Sequence, residues 1–328
     1  MSSVDALHVD LLAALRRHVA PDVALDGLRR LSGGASQETW SLDLVRGGAV
    51  EPCILRRRPG KTGGPAMALS LEAESRLLGV AAELDVPVPG VRFVLDAQDG
   101  LGSGYVMERL KGETIPRKIL RDERFAGVRP ALAVQCGEIL ARLHAGDPAR
   151  AAELAVAPAR VQLDQYRSLY DAYDAPHPVF ELAFRWLEAR AAEPAKLALV
   201  HGDFRNGNLL VDSRGVRGVL DWELAHIGDP MEDLGWICVP SWRFGEIDDP
   251  VGGFGTREDL FAGYVAAGGT VDAERVRFWE IMGTLKWGVM CLTMVSIFRS
   301  GADPSVERAA IGRRASETEI DLLMLMEE

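Results

Sequence analysis

The pattern of apolar residues changes at about residue 110, and this change limits the folds open to the chain. Before it, short segments alternate apolar with polar residues, as Trp40, Leu42 and Leu44 do, which is typical of strands. After it, apolar residues recur at helical spacing, with one β-type interruption at 197–221. A strand-rich beginning followed by a mainly helical remainder excludes both all-β and all-helical architectures.

We therefore predict an α+β fold of two lobes. The first, residues 1–110, contains an N-terminal helix, an antiparallel sheet and one inner helix over Ala68–Glu83. The second, residues 111–328, is mainly helical. The 328 residues are enough for two folding units that each bury a core.

Charge and cysteine content narrow the possible partners. The chain has 37 Lys and Arg against 48 Asp and Glu, a net charge of −11, and most of the excess falls after residue 110. This acidity disfavours binding to nucleic acid or anionic lipid. The four cysteines form no CxxC pair, which favours reduced thiols and no zinc site. We expect a cytoplasmic monomer or homodimer.

Two apolar segments bear on membrane insertion. Asp5 and Asp10 interrupt the N-terminal stretch where a signal peptide needs an apolar run. The strongest later run, Trp287–Phe298, has twelve residues and is too short to span a bilayer. We therefore expect no membrane partner.

The most informative segment is HGDFRNGN at 201–208, followed by Asp-Trp-Glu from Asp221. Apolar strand-type segments flank it, so Asp203 and Asn208 should lie on one loop. A loop Asp can receive the proton of an attacking hydroxyl, while an Asn carbonyl and a second carboxylate hold Mg²⁺ on nucleotide phosphates. These oxygen ligands favour a hard cation rather than zinc.

Three motifs resemble the aminoglycoside phosphotransferase and choline kinase family, which has a protein-kinase-like two-lobed fold. They are HGDFRNGN at 201–208, DWELAHIGDPMEDLG at 221–235 and YVMERLKGE at 105–113. LRRRPG at 55–60 is most similar to the branch that includes the phosphotransferase domain fused to acyl-CoA dehydrogenases. The resemblance extends over nearly the whole chain.

The resemblance implies roles for residues of the second lobe. Asp203 matches the catalytic base, and Asn208 and Asp221 match the ligands of Mg²⁺. His201 matches a structural histidine of the catalytic loop. Arg205 is a candidate for substrate contact or for support of the loop.

For two further acidic residues of these motifs, the sequence allows two alternative roles each. Glu223 either helps to place metal or substrate or faces solvent. Asp233 faces either the acceptor or the catalytic loop, and we favour a structural role for it.

The first lobe should hold the nucleotide phosphates. Gly33, Gly34 and Ser36 form a turn whose backbone N–H groups could approach phosphate oxygens, although a plain hairpin is an alternative. The family's usual strand lysine is absent, and Arg56 stands on the strand instead. We predict an ion pair between Arg56 and Glu74, which shares the inward face of its helix.

Alternatives remain for several residues of the first lobe and for one helix start. Glu72 is the second choice as partner of Arg56, and Arg57 and Arg58 are expected to be a solvated strand end. Glu108 and Leu110 lie where an adenine would meet backbone groups, unless this is an ordinary edge strand. The sequence Asp229-Pro230-Met231-Glu232 predicts a helix start closed by a capping box.

A group of aromatic and acidic residues either borders an acceptor pocket or forms the core of the second lobe. Its members are Trp222, Trp236, Trp242, Phe244, Glu246, Asp248 and Asp249. Aromatic rings with acids can hold a cation. The basic residues Arg117, Lys118, Arg121 and Arg124 would instead suit acceptor phosphates, unless they are a solvated helix face.

The resemblance implies an ATP-dependent, Mg²⁺-requiring kinase that phosphorylates a hydroxyl of a small molecule. Its branch favours a metabolic acceptor such as a hydroxyacyl compound. An aminoglycoside-type antibiotic kinase and a catalytically inactive nucleotide-binding protein are the alternatives.

Overall fold

The computed structural model describes four stretches of the chain, residues 3–33, 37–59, 69–173 and 175–327. The chain forms two compact units, Met1–Gly112 with Arg217–Ala225, and Glu113–Val216 with His226–Glu328. The predicted boundary between the lobes, after residue 110, assigns the segment 217–225 to the second lobe. In the structure that segment returns to the first unit.

The first unit is built on an antiparallel sheet. Its elements are α1 (Ser3–His18), β1 (Ala24–Gly33), β2 (Glu38–Arg46), β3 (Ala49–Arg58), α2 (Leu71–Glu83), β4 (Val91–Val94) and β5 (Ser103–Glu108). The strand order is β1-β2-β3-β5-β4, and every neighbouring pair is antiparallel. The predicted sheet of the first lobe is therefore confirmed.

The core of the first unit joins α1 to the sheet. Leu11 and Leu15 of α1 form one cluster with Trp40, Leu42 and Leu55, and all five side chains are buried. The alternation that predicted β2 thus places its apolar residues in this core.

Two strands differ from their predictions for backbone reasons. Strand β1 is not predicted by its side-chain pattern, because irregularities in its pairing with β2 break the alternation. The apolar run Val86–Leu95 predicts a strand, but only Val91–Val94 forms one, because Pro87 and Pro89 have no N–H to donate to a sheet.

Helix α2 begins three residues later than predicted, at Leu71. Ser70 is its N-cap, and the Ser70 hydroxyl accepts a hydrogen bond of 3.1 Å from the backbone N–H of Ala73. The face that includes Glu74 and Leu77 is buried, as the helical spacing predicted. The structure therefore directs the Glu74 carboxylate inward.

The second unit is mainly helical. Its helices are α3 (Pro116–Arg121), α4 (Leu132–Ala145), α5 (Ala159–Asp171), α6 (Pro178–Glu188), α7 (Met231–Trp236), α8 (Arg257–Ala266), α9 (Ala273–Arg299), α10 (Val306–Gly312) and α11 (Ala315–Glu327). The intervening strands are β6 (Ala198–Val200), β7 (Leu209–Asp212), β8 (Gly215–Val219) and β9 (His226–Gly228). Strand β6 pairs with β9, whereas β7 and β8 form a hairpin whose last residues re-enter the first unit.

The capping box predicted at the start of α7 is wrong. Asp229 does accept a hydrogen bond of 3.0 Å from the backbone N–H of Met231, the first helical residue. The Glu232 side chain turns away from the cap, and it accepts from Gln162 at 2.7 Å and contacts His226 at 3.0 Å. A buried polar network thus uses the carboxylate that an exposed helix start would have used.

Helix α9 contains the apolar run noted in the sequence. The helix has 27 residues, and by length and composition alone it could cross a membrane, with a mean hydropathy of 1.6 in its most apolar window. More than half of that window is buried inside the protein. The helix also carries the buried polar side chains Glu280 and Lys286, as a core helix can when they are paired.

Candidate active site

The loop between β6 and β7 holds Asp203 in a fixed orientation. The Asp203 carboxylate is partly buried, with 14% of its side chain exposed. Its Oδ1 accepts from Trp236 Nε1 at 2.8 Å and from Arg205 Nε at 3.0 Å, and its Oδ2 accepts from Asn208 Nδ2 at 2.6 Å. Three donors therefore restrain this carboxylate, and a fixed orientation is what a general base needs to meet a substrate proton at hydrogen-bond distance.

Asp233 anchors the backbone of this loop. It is completely buried, and its two carboxylate oxygens accept from the backbone N–H groups of His201 at 2.8 Å and Gly202 at 2.9 Å. His201 Nδ1 in turn accepts from the Asp203 backbone N–H at 3.1 Å. Asp233 therefore faces the catalytic loop, the structural alternative favoured from the sequence, and His201 lies where a structural histidine would.

The charge of Asp233 is supported by a second layer of polar groups. His144 Nε2 lies 3.2 Å from the carboxylate, and the His144 Nδ1 lies 2.9 Å from the Tyr264 hydroxyl. Burial alone would raise the pKa of Asp233, but His144 and the backbone of His201 lower the pKa below its ordinary value. The loop therefore rests on an ionised carboxylate.

Asn208 is positioned through its amide nitrogen. Nδ2 donates to the main-chain oxygen of Asp203 at 3.0 Å as well as to its carboxylate. Because both bonds use the nitrogen, the carbonyl oxygen of Asn208 is not engaged by Asp203. An amide oxygen is a ligand that Mg²⁺ accepts, so the donor set of this loop fits such an ion.

In the first unit, Arg56 lies between two carboxylates. Its Nη1 is 3.3 Å from Glu74 Oε1, and its Nη2 is 3.2 Å from Asp221 Oδ1. Glu74 is 1% exposed, whereas 39% of the Asp221 side chain is exposed. The ion pair expected between Arg56 and Glu74 is thus present, and Glu72 is not the partner.

The electrostatics of this cluster follow from its burial. Desolvation raises the pKa of Glu74 above its ordinary value, although the Arg56 guanidinium opposes the shift. Burial disfavours the Arg56 cation, but Glu74 and Asp221 raise its pKa. Arg56 is therefore a permanent cation whose Asp221 side is the more open to solvent.

Asp221 has an unusual backbone conformation. Its φ is +66°, in the left-handed region that residues other than glycine seldom adopt. Such strain persists only where surrounding contacts over-determine it, and it concentrates at functional sites. The carboxylate oxygen that Arg56 does not bind is a second hard ligand suited to Mg²⁺.

The predicted phosphate-binding turn lies at the end of a described stretch of the chain, which stops at Gly33. Gly34 and Ser36 lie outside the described residues, and Gly33 is the last residue of β1, paired with Glu38. Arg57 is not a solvated strand end, because 14% of its side chain is exposed and it binds Glu38 at 2.8 Å.

The remaining predicted residues have mainly backbone contacts. Glu108 ends β5, and its N–H donates to the Gly90 carbonyl oxygen at 2.8 Å. Leu110 is partly exposed two residues later. The Glu223 carbonyl oxygen accepts from the Leu69 N–H at 2.9 Å. None of these contacts tests a role in nucleotide binding.

Sequence reasoning missed the residues that connect distant parts of the second unit to the loop. Trp236 was assigned either to a core or to an acceptor pocket, but it is also a direct donor to Asp203. His144 and Lys286 were not singled out at all. A polar residue on an otherwise apolar helix face was the only available signal for them.

A separate group of possible metal ligands lies in the first unit. His18, Asp96 and Asp99 have ligand atoms within 4.8 Å of one another. Arg17 binds both carboxylates, Asp96 at 3.1 Å and Asp99 in close contact. The guanidinium already occupies an oxygen of each carboxylate and offsets one of their two negative charges.

Comparison of the sequence with protein-family models agrees with the arrangement of these residues. The model of the phosphotransferase enzyme family matches residues 27–279, which include the catalytic loop and the Arg56 cluster. The chain belongs to this family.

Solved phosphotransferase structures share the fold. A proposed aminoglycoside phosphotransferase from Ralstonia eutropha is 21% identical, with a TM-score of 0.75 and 95% of each chain covered. A ternary complex of an aminoglycoside phosphotransferase with streptomycin and ATP is 17% identical, with a TM-score of 0.57 and 89% of this chain and 91% of the other covered. At these identities the likeness establishes the fold alone.

Sequence relatives include larger proteins. Acyl-CoA dehydrogenase family member 10 of Mus musculus is 29% identical over 250 residues, which are 72% of this chain and 22% of the relative. Across three curated relatives of this kind the chain spans 22–36% of their length. This phosphotransferase therefore matches one part of each of them, in agreement with the branch that the sequence motifs resemble.

Proposed function

We propose that this phosphotransferase moves the γ-phosphoryl group of ATP to a hydroxyl of a small metabolic acceptor, such as a hydroxyacyl compound. The observation that carries the proposal is the Asp203 carboxylate, which three donors restrain on a loop anchored by Asp233. Similar folds with bound ATP support the choice of nucleotide.

Asp203 orients the acceptor hydroxyl and takes its proton as the oxygen attacks the γ-phosphorus. Because Trp236, Arg205 and Asn208 hold the carboxylate, little reorganisation accompanies the reaction. Arg56 contributes a fixed positive charge for the phosphates, and its planar guanidinium binds phosphate oxygens in pairs.

Asn208 and Asp221 would supply the protein oxygens that bind Mg²⁺. When bound, the ion neutralises charge on the β- and γ-phosphate oxygens. A degenerate kinase fold that only binds nucleotide would have no use for Asp203, Asn208 and Asp221 together. The relatives named as acyl-CoA dehydrogenase family members favour a metabolic acceptor over an aminoglycoside.

Replacement of the proposed base tests this function. Asp203→Asn should lower kcat by about 10²–10⁴-fold, because it removes the proton acceptor, and should leave the affinity for ATP close to that of the wild type. The matched control is Asp164→Asn, an exposed residue of α5. ATP consumption with a panel of hydroxylated acceptors is the assay. Equal turnover by Asp203→Asn and Asp164→Asn would refute the role of Asp203, and preferred transfer to aminoglycosides would refute the acceptor class.

A further inference from the structure

Helix α9 places a buried ammonium group next to the side chains that hold Asp203. Lys286 is 5% exposed, and its Nζ lies 4.8 Å from the ring centre of Trp236. The Nε1 of the same indole donates to Asp203 at 2.8 Å. One tryptophan therefore has the lysine cation over its face and the proposed base at its edge.

The Lys286 ammonium has more N–H donors than there are hydrogen-bond acceptors close to it. A protonated lysine has three N–H donors and no acceptor. Within the described part of the chain, the carboxylate recorded within 4 Å of Lys286 Nζ is Glu232 Oε1, at 3.8 Å, which is too long for a hydrogen bond. The other oxygen of Glu232 already contacts Gln162 and His226. Lys286 thus has a counter-charge but no close hydrogen-bond acceptor.

Two indoles next to this ammonium add buried N–H donors. Among the described residues, Trp242 Nε1 and Trp287 Nε1 are buried without a hydrogen-bond partner. The Trp242 ring centre lies 5.4 Å from that of Trp236 and 4.9 Å from that of Trp287. Unsatisfied buried donors are costly and rare, so these two indoles, beside an ammonium whose recorded carboxylate lies 3.8 Å away, indicate that something else supplies acceptor oxygens.

The acids around the cluster already have hydrogen-bond donors. Asp203 and Asp233 each have donors of their own, as described above. Arg205 adds a second cation, since its guanidinium carbon lies 4.6 Å from the ring centre of Trp242. The Tyr166 ring lies 5.7 Å from Lys286 Nζ. This side of the loop therefore offers surplus N–H donors rather than surplus acids.

We propose that Lys286 binds an oxygen of the acceptor, so that the acceptor carries a carboxylate or a thioester carbonyl close to the hydroxyl that is phosphorylated. This inference rests on the proposed function. Both groups supply the missing hydrogen-bond acceptor, as a free hydroxy acid or as its acyl thioester. A polycationic acceptor would instead bring further N–H donors and leave the missing hydrogen-bond acceptor unsupplied.

The experiment measures kcat and KM for three acceptors of matched chain length: a hydroxy acid, its thioester and an alcohol without an acyl group. Lys286→Met should raise the KM for the acyl acceptor about tenfold or more, because a hydrogen bond to a charged group is lost. The KM for the plain alcohol should change far less. The larger effect on the acid or on the thioester identifies the source of the oxygen.

Two further variants separate binding from folding. Lys286→Met leaves Glu232 buried without its cation, so the double variant Lys286→Met/Glu232→Gln removes both charges together. It should show the same increase in acceptor KM. Lys196→Met makes the same chemical change at an exposed position and should keep wild-type constants. Equal KM changes for acyl acceptors and alcohol, or no change in the double variant, would overturn the proposal.

Failure of the proposed function would be recognised separately. A wild-type protein that consumes ATP with none of the acceptors would contradict that function. Lys286 would then be tested by thermal unfolding with the hydroxy acid and the thioester. A rise in the midpoint for the wild type that is lost in the double variant would support the binding role, and identical midpoints with and without these compounds would overturn it.

Discussion

Arg56 Nη1 lies 3.3 Å from Glu74 Oε1, and the carboxylate is only 1% exposed. Desolvation makes such a pair a weak source of stability by itself, but the loss of one partner leaves an uncompensated buried charge. The pair therefore serves mainly to hold the guanidinium in place. Replacement of Glu74 tests this role.

Glu74→Gln should lower the free energy of unfolding by about 3 kcal/mol, because Arg56 then loses its buried counter-charge. It should also raise the KM for ATP, since the guanidinium is no longer held in position. Urea unfolding and ATP kinetics measure these effects. Glu72→Gln, two residues away and partly exposed, is the control. If both variants unfold at the same urea concentration, the ion pair has no structural importance.

Trp236→Phe should lower kcat about tenfold, because Asp203 loses a donor at 2.8 Å while an aromatic ring remains for the cation of Lys286. The KM for the acceptor should change little. This result would distinguish the role of the indole N–H, which affects kcat through Asp203, from that of the indole face, which contacts Lys286. Lys286→Met is expected to change KM instead. Trp186→Phe in α6 is the control. An effect of Trp236→Phe confined to acceptor KM would contradict this division.

Asp221→Gly and Asp221→Ala should differ in stability but not in activity. Both remove the carboxylate and should abolish transfer that depends on Mg²⁺. Because Asp221 has a φ of +66°, glycine accommodates the backbone and should be more stable than alanine by about 1 kcal/mol. Thermal or urea unfolding measures the difference. A more stable alanine variant would mean that the backbone relaxes out of the left-handed region.

Asp321 on α11 should make stability depend on pH. Burial raises the pKa of Asp321 from 3.8 to about 6, with Glu317 adding to the shift and Arg243 and Arg314 opposing it. The folded state then binds a proton more tightly than the unfolded state, so stability falls as the pH rises from about 4 to about 6. Since the side chain is partly exposed, the loss is about 1 kcal/mol.

Asp321→Asn removes that titration and should raise the free energy of unfolding at pH 7.5 by a similar amount. At pH 5 the variant and the wild type should be closer in stability. Urea unfolding at the two pH values measures both, and Asp164→Asn corrects for general charge effects. A gain for Asp321→Asn that is larger at pH 5 than at pH 7.5 would reverse the predicted sign.

Local patterns were enough to predict the loop that holds Asp203 and Asn208, and the inward face of α2. The spacing of Asp203 and Asn208 between two apolar strands, and the helical position of Glu74, are properties of neighbouring residues. The loop's anchor could not be derived in this way. Asp233 reaches His201 across 32 positions of sequence, and the pattern around it left two directions open.

The errors have the same origin. Glu232 has the spacing of a capping-box residue, but a tertiary network of Gln162 and His226 binds it. Irregular pairing with another strand concealed β1. The shortening of β4 is the exception, because Pro87 and Pro89 are a local signal. Lys286 lies on a long apolar helix, where no local signal indicates that its ammonium meets Trp236.

The return of residues 217–225 to the first unit has a consequence for dissecting the protein. A fragment that stops at Gly112 would lack Asp221, one of the two carboxylates that hold Arg56. It would also lose the Leu69 contact with the Glu223 carbonyl oxygen. The first unit is therefore not one continuous stretch of sequence, and a separate version of it would need this nine-residue segment grafted back.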